Sequence, residues 1–436
     1  MNAMHTANDP RPAQPASGRA TSNRVAMAVM SAIFFMWGFI TVLNDVLIPH
    51  LKSLFTLNYA QVMLVQFTFF GAYFVMSLPS GKLVSHFGYR LSIITGLCIT
   101  GIGALLFIPA AYLRSYPLFL FAFFVLASGI TLLQVAANPY VSMLGAPQRA
   151  SSRLNLVQAL NSLGTTLAPK IGGLLILSTA VLGAAELAQL SPAQQTAYRL
   201  QQAHSVQGPY IGIALVLFAL AVVVWLFHLP RLESEGADDS RHRFADALKH
   251  RRVWFGMAAI FLYVGAEVSI GSFMINYLSL PQIGDMPQAR AAGFVSLYWG
   301  GAMVGRFVGS ALLTRIDTRA LLAVFATIAG LLVLTTMLTH GNIALWSVVA
   351  IGLFNSIMFP SIFTLGIEGF GALTGKISSL LVMAIVGGAV VPLLQGALAD
   401  RIGVQHAYVL PLLCYAYILF YGLRGSRVQH AAAPGD

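Results

Sequence analysis

NSLGTTLAPKIGG, residues 161–173, returns in altered form near the other end of the chain as IVGGAVVPLLQG, residues 385–396. Gly164, Pro169 and Gly173 of the first stretch each recur 223 positions later in the second. The shared order and spacing predict two similar halves that are related by a parallel duplication.

A second match supports the duplication. NPYVSMLG, residues 138–145, and FPSIFTLG, residues 359–366, share a Pro, a Leu and a Gly at an offset of 221 positions. Chance recurrence of Gly and Pro in hydrophobic helices is the alternative explanation. A duplicated body of this kind has a cavity between its halves, on the pseudo-twofold axis.

The composition places both halves in a membrane. Of the 436 residues, 57% are hydrophobic and only 9% are charged, a balance that no water-exposed surface of this size tolerates. Hydrocarbon offers the backbone no hydrogen-bond partner, so the long apolar runs predict helices. We therefore expect an all-α membrane protein. The two cysteines lie inside apolar runs and are assigned no chemistry.

Apolar runs of spanning length predict twelve transmembrane helices in two pseudo-symmetric six-helix bundles. The predicted spans lie near residues 26–48, 60–81, 90–112, 116–144, 154–182, 208–229, 254–280, 288–313, 319–339, 342–367, 377–399 and 404–424. The predicted domains are a disordered cytoplasmic tail at 1–24, the first bundle at 25–230, a central loop at 231–252, the second bundle at 253–425 and a second tail at 426–436. The charged central loop is predicted to include a short amphipathic helix at the membrane surface.

The basic residues predict the orientation. With both termini in the cytoplasm, most of the 25 Lys and Arg residues fall in cytoplasmic segments, as the positive-inside rule requires. They form no continuous stripe, so the net charge of +11 indicates orientation and not nucleic-acid binding. We expect a multi-pass protein of the cell inner membrane, in contact with the lipid bilayer and monomeric.

Several stretches resemble a known transport family. They are NDVLIPHLK (44–52), GKLVSHFGYR (81–90), LLQVAANPYVSMLG (132–145), RLNLVQALNSLG (153–164) and LYVGAEVSIGS (262–272). These stretches are similar to the major facilitator superfamily and, within it, to the fucose, galactose and glucose symporter family. Gln134 and the GAEV sequence are most similar to its glucose/galactose branch.

The resemblance implies a secondary transporter that imports a neutral hexose with H⁺ or Na⁺ by alternating access, with no cofactor, no metal and no enzymatic activity. The alternatives are an L-fucose or other deoxyhexose symporter, a non-transporting membrane sugar sensor and a drug efflux pump. The short central loop disfavours a sensor, and the polar residues described below disfavour an apolar drug cavity. No G-x-x-x-x-G-K-[ST] sequence is present, so ATP-driven transport is not expected.

Two acids are predicted to couple the cation. An ionised carboxylate at the centre of a membrane helix costs roughly 2.5 to 3.5 kcal/mol on translocon scales, so it must face protein or water. The family likeness implies this role for Asp45, which could otherwise lie at the outer end of span one. Glu267 in span seven is the second candidate, with an interhelical hydrogen bond as the alternative. Gln134 stands where the fucose branch has a Glu, which leaves H⁺ and Na⁺ both open.

Amides and hydroxyls suggest the sugar site. Asn155, Gln158 and Ser162 recur at helical spacing on one face of span five, and such side chains donate and accept without attracting an ion strongly. Stripes of this kind also join helices. The predicted substrate-binding residues are Asn44, Gln134, Asn138, Gln158, Asn155, Asn161, Trp37, Tyr263, Asn276 and Asn355. A conformational latch between the halves is predicted at Lys82, Arg90, Arg306, Arg315 and Glu368.

The carboxylate of Asp45 provides a first test. We predict that Asp45→Asn retains sugar exchange at equilibrium and loses gradient-driven accumulation, because an amide cannot carry the coupling cation. Uptake and exchange of labelled sugar in proteoliposomes measure the two activities. Normal accumulation by the variant would remove Asp45 from the coupling site.

Overall fold

The computed structural model of the protein describes residues 16–55, 59–113, 115–176, 189–227, 230 and 243–427. Side chains are described for most of these residues, with 44–55, 59–63, 66, 169 and 170 among the exceptions. In these ranges the regular secondary structure is helical, and no strand occurs. The all-α prediction is therefore confirmed for the part of the chain that is described.

Five long helices form the first half. They are α1 (Ala16–Phe55), α2 (Tyr59–Tyr112), α3 (Tyr116–Met143), α4 (Ala150–Ile176) and α5 (Pro192–Leu226). The second half contains α6 (Phe244–Leu248), α7 (Arg251–Leu278), α8 (Gln288–Leu312), α9 (Thr318–Leu338), α10 (Gly341–Asn355), α11 (Met358–Ile367), α12 (Thr374–Met383), α13 (Gly387–Ile402), α14 (Val404–Ala407) and α15 (Val409–Phe420). Short 3-10 turns lie at Pro147–Arg149, Gly371–Leu373 and Ala384–Val386, and a π turn at Tyr421–Gly425 follows α15.

The described residues contain nine stretches that are apolar and long enough to cross a membrane. One of them, Phe67–Tyr112, holds two predicted spans, which are separated at Gly88, where φ is 75° and the absence of a Cβ relieves the strain. The predicted spans five and eight correspond to α4 and α8, which are too polar to be among the nine. These two helices supply much of the site described below.

The first helix begins earlier than predicted. α1 starts at Ala16, inside the segment 1–24 that the sequence predicts to be a disordered tail, and this boundary is corrected. Pro15 directly precedes α1, and from Ala16 onward no further Pro interrupts the chain before the apolar run, so the helix can extend beyond the membrane.

The predicted surface helix of the central loop corresponds in part to α6. The backbone N–H of Arg243 donates to Asp246 Oδ2 at 2.8 Å, which satisfies one free donor at the start of this short helix. Phe244 packs close to Gly81 of α2. The other acidic residues of the central loop, within 231–242, lie outside the described part of the chain.

The two halves repeat one close helix contact. A Cβ atom at Gly164 of α4 would lie 2.2 Å from the carbonyl oxygen of Phe35 on α1. A Cβ atom at Gly387 of α13 would lie 2.0 Å from the carbonyl oxygen of Phe261 on α7. Gly164 and Gly387 belong to the repeated stretch, so the sequence duplication reflects the same backbone-to-backbone packing in each half.

Polar contacts close the two halves at one side of the membrane. We call this side the basic face and define it by residues 82–90, 144–150, 313–319 and 368–376. Near it, Ser152 of α4 donates to the carbonyl oxygen of Ser310 on α8 at 2.7 Å, and the hydroxyls of Ser151 and Thr364 lie 2.6 Å apart. Ser379 of α12 also donates to the carbonyl oxygen of Ser77 on α2. The structure is thus closed at the basic face.

The glycine contact predicts a sharp effect of one methyl group. Gly164→Ala should lower the free energy of unfolding by about 1–3 kcal/mol, because the new Cβ forces α4 away from α1. Thermal unfolding of the purified protein in detergent measures the loss. Gly212→Ala on α5, where no atom lies within 4 Å of the added Cβ, is the matched control. Equal melting temperatures for the two variants would contradict the proposed packing role.

Candidate functional site

A buried tyrosine–amide pair lies in the first half. Gln134 of α3 donates through Nε2 to the hydroxyl of Tyr73 on α2 at 2.7 Å, and both side chains are buried. Trp37 of α1 reaches the same hydroxyl. Gln134 Oε1 has no hydrogen-bond partner among the described residues. This buried oxygen is therefore the unsatisfied polar atom of the pair.

The second half repeats this pair. Asn355 of α10 donates through Nδ2 to the hydroxyl of Tyr298 on α8, again at 2.7 Å. Tyr298 follows Tyr73 by 225 positions, and Asn355 follows Gln134 by 221, the offset that also relates the Pro-containing stretches of spans four and ten. The duplication has thus placed one tyrosine–amide pair in each half. Tyr415 of α15 donates to Asn355 Oδ1 at 2.6 Å and completes the second one.

The aromatic residue beside each pair is different. Tyr263 of α7 follows Trp37 by 226 positions, the same offset that separates Phe35 from Phe261. Its hydroxyl lies 2.8 Å from Glu267 Oε1 and 3.0 Å from the carbonyl oxygen of Asn355. Both Trp37 and Tyr263 were predicted to line the cavity, and the structure brings each of them to its tyrosine–amide pair.

The second half also contains an intramembrane ion pair. Arg306 Nη2 lies 3.7 Å from Glu267 Oε1, and each side chain is only 12% exposed. Tyr298 and Tyr263 surround the same acid, the former through a contact of 3.4 Å with the backbone oxygen of Glu267. The hydrogen bond to the Glu267 carboxylate comes from Tyr263 of the same helix, and the interhelical contact is the ion pair with Arg306. A coupling role would require the bound cation to compete with Arg306.

Arg306 extends from the second half into the first. Its guanidinium donates to the carbonyl oxygen of Gln158 at 3.4 Å and to the hydroxyl of Ser162, both on α4. Asn155 of α4 donates in return to the carbonyl oxygen of Arg306 at 2.7 Å. A further bond from Nε reaches the carbonyl oxygen of Ser356 at 3.3 Å. Arg306 was predicted as a latch between the halves, and its contacts do join them.

The polar face of span five serves two purposes. Asn155 and Asn161 use their amide nitrogens to join helices, the latter by donating to the carbonyl oxygen of Phe34 on α1 at 2.9 Å. Ser162 donates to the carbonyl oxygen of Gln158 and accepts from Arg306. The side chain of Gln158 is 95% buried beside these contacts. Gln158 is therefore the residue of this face best placed for a ligand.

Some predicted residues lie elsewhere or beyond description. Asn276 is exposed on α7 and makes no described hydrogen bond with the cluster. Asn138 is fully buried, and neither of its amide atoms has a partner among the described residues. The side chains of Asn44 and Asp45 lie outside the described residues, so their predicted roles stay predictions.

The other predicted latch residues make no described contact between the halves. Arg90 donates to the carbonyl oxygens of Val224 and Trp225 at the end of α5, which caps a helix of its own half. Glu368 pairs with Arg319 of α9, also within one half. Lys82 and Arg315 are exposed at the basic face.

Tyr73, Tyr298 and Tyr415 belong to the cluster and are not among the predicted site residues, and Tyr415 is the hardest of them to find from the sequence. It lies within an apolar run, and 15 Tyr residues occur in the chain. The spacing between Tyr415 and its partner Asn355 follows no helical periodicity, because the two residues lie on different spans. Only the contact between Tyr415 of α15 and Asn355 at the end of α10 shows that its hydroxyl meets an amide.

The chemistry of the cluster suits a neutral polar ligand. Each half contains a buried tyrosine–amide pair, and among the described residues of the second half the acid Glu267 is paired with Arg306. Among the described residues there is no group of His, Cys, Asp and Glu that could hold a metal. Aromatic rings beside amides also provide a flat surface for the C–H face of a sugar ring together with partners for its hydroxyls.

Comparison with known proteins gives the family. The sequence model of the Major Facilitator Superfamily matches residues 26–391. The chain belongs to this superfamily. Members of the superfamily with sugar substrates are also similar over nearly the whole chain, and the prediction of a transporter that is not an enzyme is confirmed.

Three relatives illustrate the similarity. The "Glucose/galactose transporter" of Brucella abortus is 51% identical over 92% of this chain and 94% of its own length. The "Putative glucose/galactose transporter" of Helicobacter pylori strain 26695 is 45% identical over 94% and 98%. The "L-fucose-proton symporter" of Escherichia coli K12 is 35% identical over 93% and 94%. The resemblance to the glucose, galactose and fucose family is thus confirmed.

A solved structure has the same fold. The crystal structure of the transporter FucP in the outward conformation has a TM-score of 0.87 and 34% identity, and the match covers 93% of this chain and all of that one. The major facilitator fold that the sequence predicts is therefore confirmed.

The paired tyrosines predict matched defects in this superfamily member. Tyr73→Phe leaves Gln134 without its described partner, and Tyr298→Phe removes the partner of the Asn355 amide. An unsatisfied buried amide costs about 1–3 kcal/mol, so each variant should unfold at lower temperature and bind sugar more weakly. Calorimetry of the purified variants measures both effects. Tyr112→Phe, at an exposed position, is the control, and a control-like melting temperature and affinity for Tyr73→Phe would contradict the role of the pair.

Proposed function

We propose that this protein imports a neutral hexose, glucose or galactose first, by symport with a cation through alternating access. The observation that carries the proposal is the duplicated tyrosine–amide pair, which faces an aromatic residue in each half. Relatives that are 51% and 45% identical over nearly their full lengths and bear glucose/galactose transporter names support the choice of sugar.

The duplication provides hydrogen-bond partners from both halves. A hexose carries hydroxyl groups around its whole ring, and each hydroxyl both donates and accepts. Gln134 Oε1 has no described partner in the first half, and Tyr298 and Asn355 supply polar groups in the second.

The basic face is proposed to be the cytoplasmic side of the inner membrane. The excess of Lys and Arg in its loops supports this orientation, with both termini cytoplasmic. Because the structure is closed at the basic face, it represents the outward-facing state of a monomeric transporter. The similarity to FucP, whose structure is in the outward conformation, supports the assignment.

The coupling cation is proposed to be H⁺ or Na⁺, with Asp45 and Glu267 as the acids concerned. Gln134 cannot titrate, so the tyrosine–amide pair of the first half binds sugar and carries no proton. Arg306 and Tyr263 contact the carboxylate of Glu267, so a cation that binds this carboxylate must compete with both side chains.

Counterflow of labelled galactose into proteoliposomes tests the substrate, with unlabelled glucose, galactose and fucose as internal drivers. Counterflow requires only alternating access to a common site and does not depend on the ion. We expect galactose and glucose to drive exchange and fucose to be ineffective. Counterflow of labelled fucose without counterflow of labelled galactose would favour a deoxyhexose symporter, and no exchange of either labelled sugar by folded protein would favour a sensor.

Gln158→Ala should raise the galactose concentration needed for half-maximal counterflow several-fold, because the amide loses its bonds to sugar hydroxyls while its backbone contact with Arg306 remains. Gln148→Ala, at an exposed position on the basic face, is the matched control. An unchanged concentration dependence in Gln158→Ala would exclude this side chain from the site.

A further inference from the structure

The two interfaces between the halves are equivalent by duplication and different in chemistry. By the offset that relates Tyr73 to Tyr298, Arg306 of α8 occupies the position of Gly81 on α2. Gly81 packs against Ser379 of α12 without charge. Arg306 instead places a guanidinium against α4. The interface at Arg306 therefore places a charge between the halves, whereas the equivalent position in its counterpart is a glycine that contacts a serine.

Arg306 has two sets of partners, of which one stays in contact with it during the transport cycle and the other does not. Glu267 and the carbonyl oxygen of Ser356 belong to its own half and move with it. The carbonyl oxygen of Gln158 and the hydroxyl of Ser162 belong to the other half. When the basic face opens, the second set separates from Arg306, and the first set stays.

We infer that Arg306 transmits the charge state of Glu267 to the α4–α8 interface, so that cation binding at Glu267 weakens the closure of the basic face and bound sugar completes the opening. The inference rests on the proposed function and extends it to the residue that links ion to motion. While Glu267 is anionic, it compensates the guanidinium inside the closed interface. A cation on Glu267 removes that compensation and leaves Arg306 as an unpaired buried charge, which is strongly unfavourable. Opening the basic face then admits water to Arg306.

No other described charge competes for this role. The groups that face Glu267 are Arg306 on α8, Tyr263 on its own helix, Tyr298 on α8 and Tyr415 on α15. The tyrosines are neutral hydrogen-bonding groups in this environment. From α4, the facing groups are the neutral Gln158 and Ser162. Arg306 is thus the positive group that responds to neutralisation of Glu267, and it acts as a positioning residue.

The test measures opening without sugar. Ser152 is buried between α4 and α8 near the basic face, so a Cys at this position reacts with a bulky maleimide only when that face opens. The reporter Ser152→Cys is made with Cys98 and Cys414 replaced by Ala, in purified protein. Its labelling rate is divided by that of Gln148→Cys, an exposed position on the same face, which corrects for the pH dependence of the thiol reaction.

In the parent reporter, we expect acidification or replacement of choline by Na⁺ to accelerate normalised labelling several-fold. Glu267→Gln imitates the neutralised acid, and Arg306→Gln removes the cross-half bonds, so each should label rapidly with no cation response. The double variant Glu267→Gln with Arg306→Gln contains neither charge, so it should label more slowly than either single variant. If the two residues have only independent structural roles, the effects of the two substitutions should add, and the double variant should label faster than either single variant.

Arg319→Gln is the matched control, because it removes an arginine with a carboxylate partner that lies within one half; it should keep the parent's cation response. Arg306→Lys keeps the charge and should retain a reduced response, which tests the inference should a neutral variant fail to fold. A parent without any cation response, or a parent-like response in Glu267→Gln or Arg306→Gln, would overturn the inference. Sugar counterflow by the parent reports separately on the proposed function.

Discussion

Hydrocarbon supplies no hydrogen-bond partner, so a polar side chain at the depth of the membrane must find its partners within the protein. This constraint explains the arrangement of the described polar residues. Tyr73 meets Gln134, Tyr298 meets Asn355, and Glu267 meets Arg306. The least apolar helices, α4 and α8, consequently lie at the interface between the halves, where their polar faces contact each other and the region proposed to bind the sugar.

The sequence reveals the halves because their helix packing depends on local composition. Gly164 and Gly387 are required where two backbones approach closely, and that requirement leaves a readable repeat. The length of each apolar run likewise predicts that a helix is present. The start of α1 was predicted less well, because a helix can continue into water beyond the membrane and composition alone does not mark where it begins.

Individual residues of the site could be predicted from the sequence, but the contacts between them could not. Membrane depth marks Glu267 and Asn355 as exceptional, and both belong to the cluster. The pairing of Glu267 with Arg306, or of Tyr415 with Asn355, depends on how separate helices rotate against each other. Asn276 shows the same limit, since one residue along a helix turns a side chain by about 100° and moves it from the interior to the outside.

The difference between Gly81 and Arg306 also bears on how such a protein arises. A newly duplicated carrier has two interchangeable interfaces, and neither distinguishes the loaded from the empty state. Placing a guanidinium in one copy and keeping glycine in the other breaks that equivalence with a single position. The ancestral symmetry then persists in the packing of the helices, while the energetic bias of the cycle resides in the one interface that diverged.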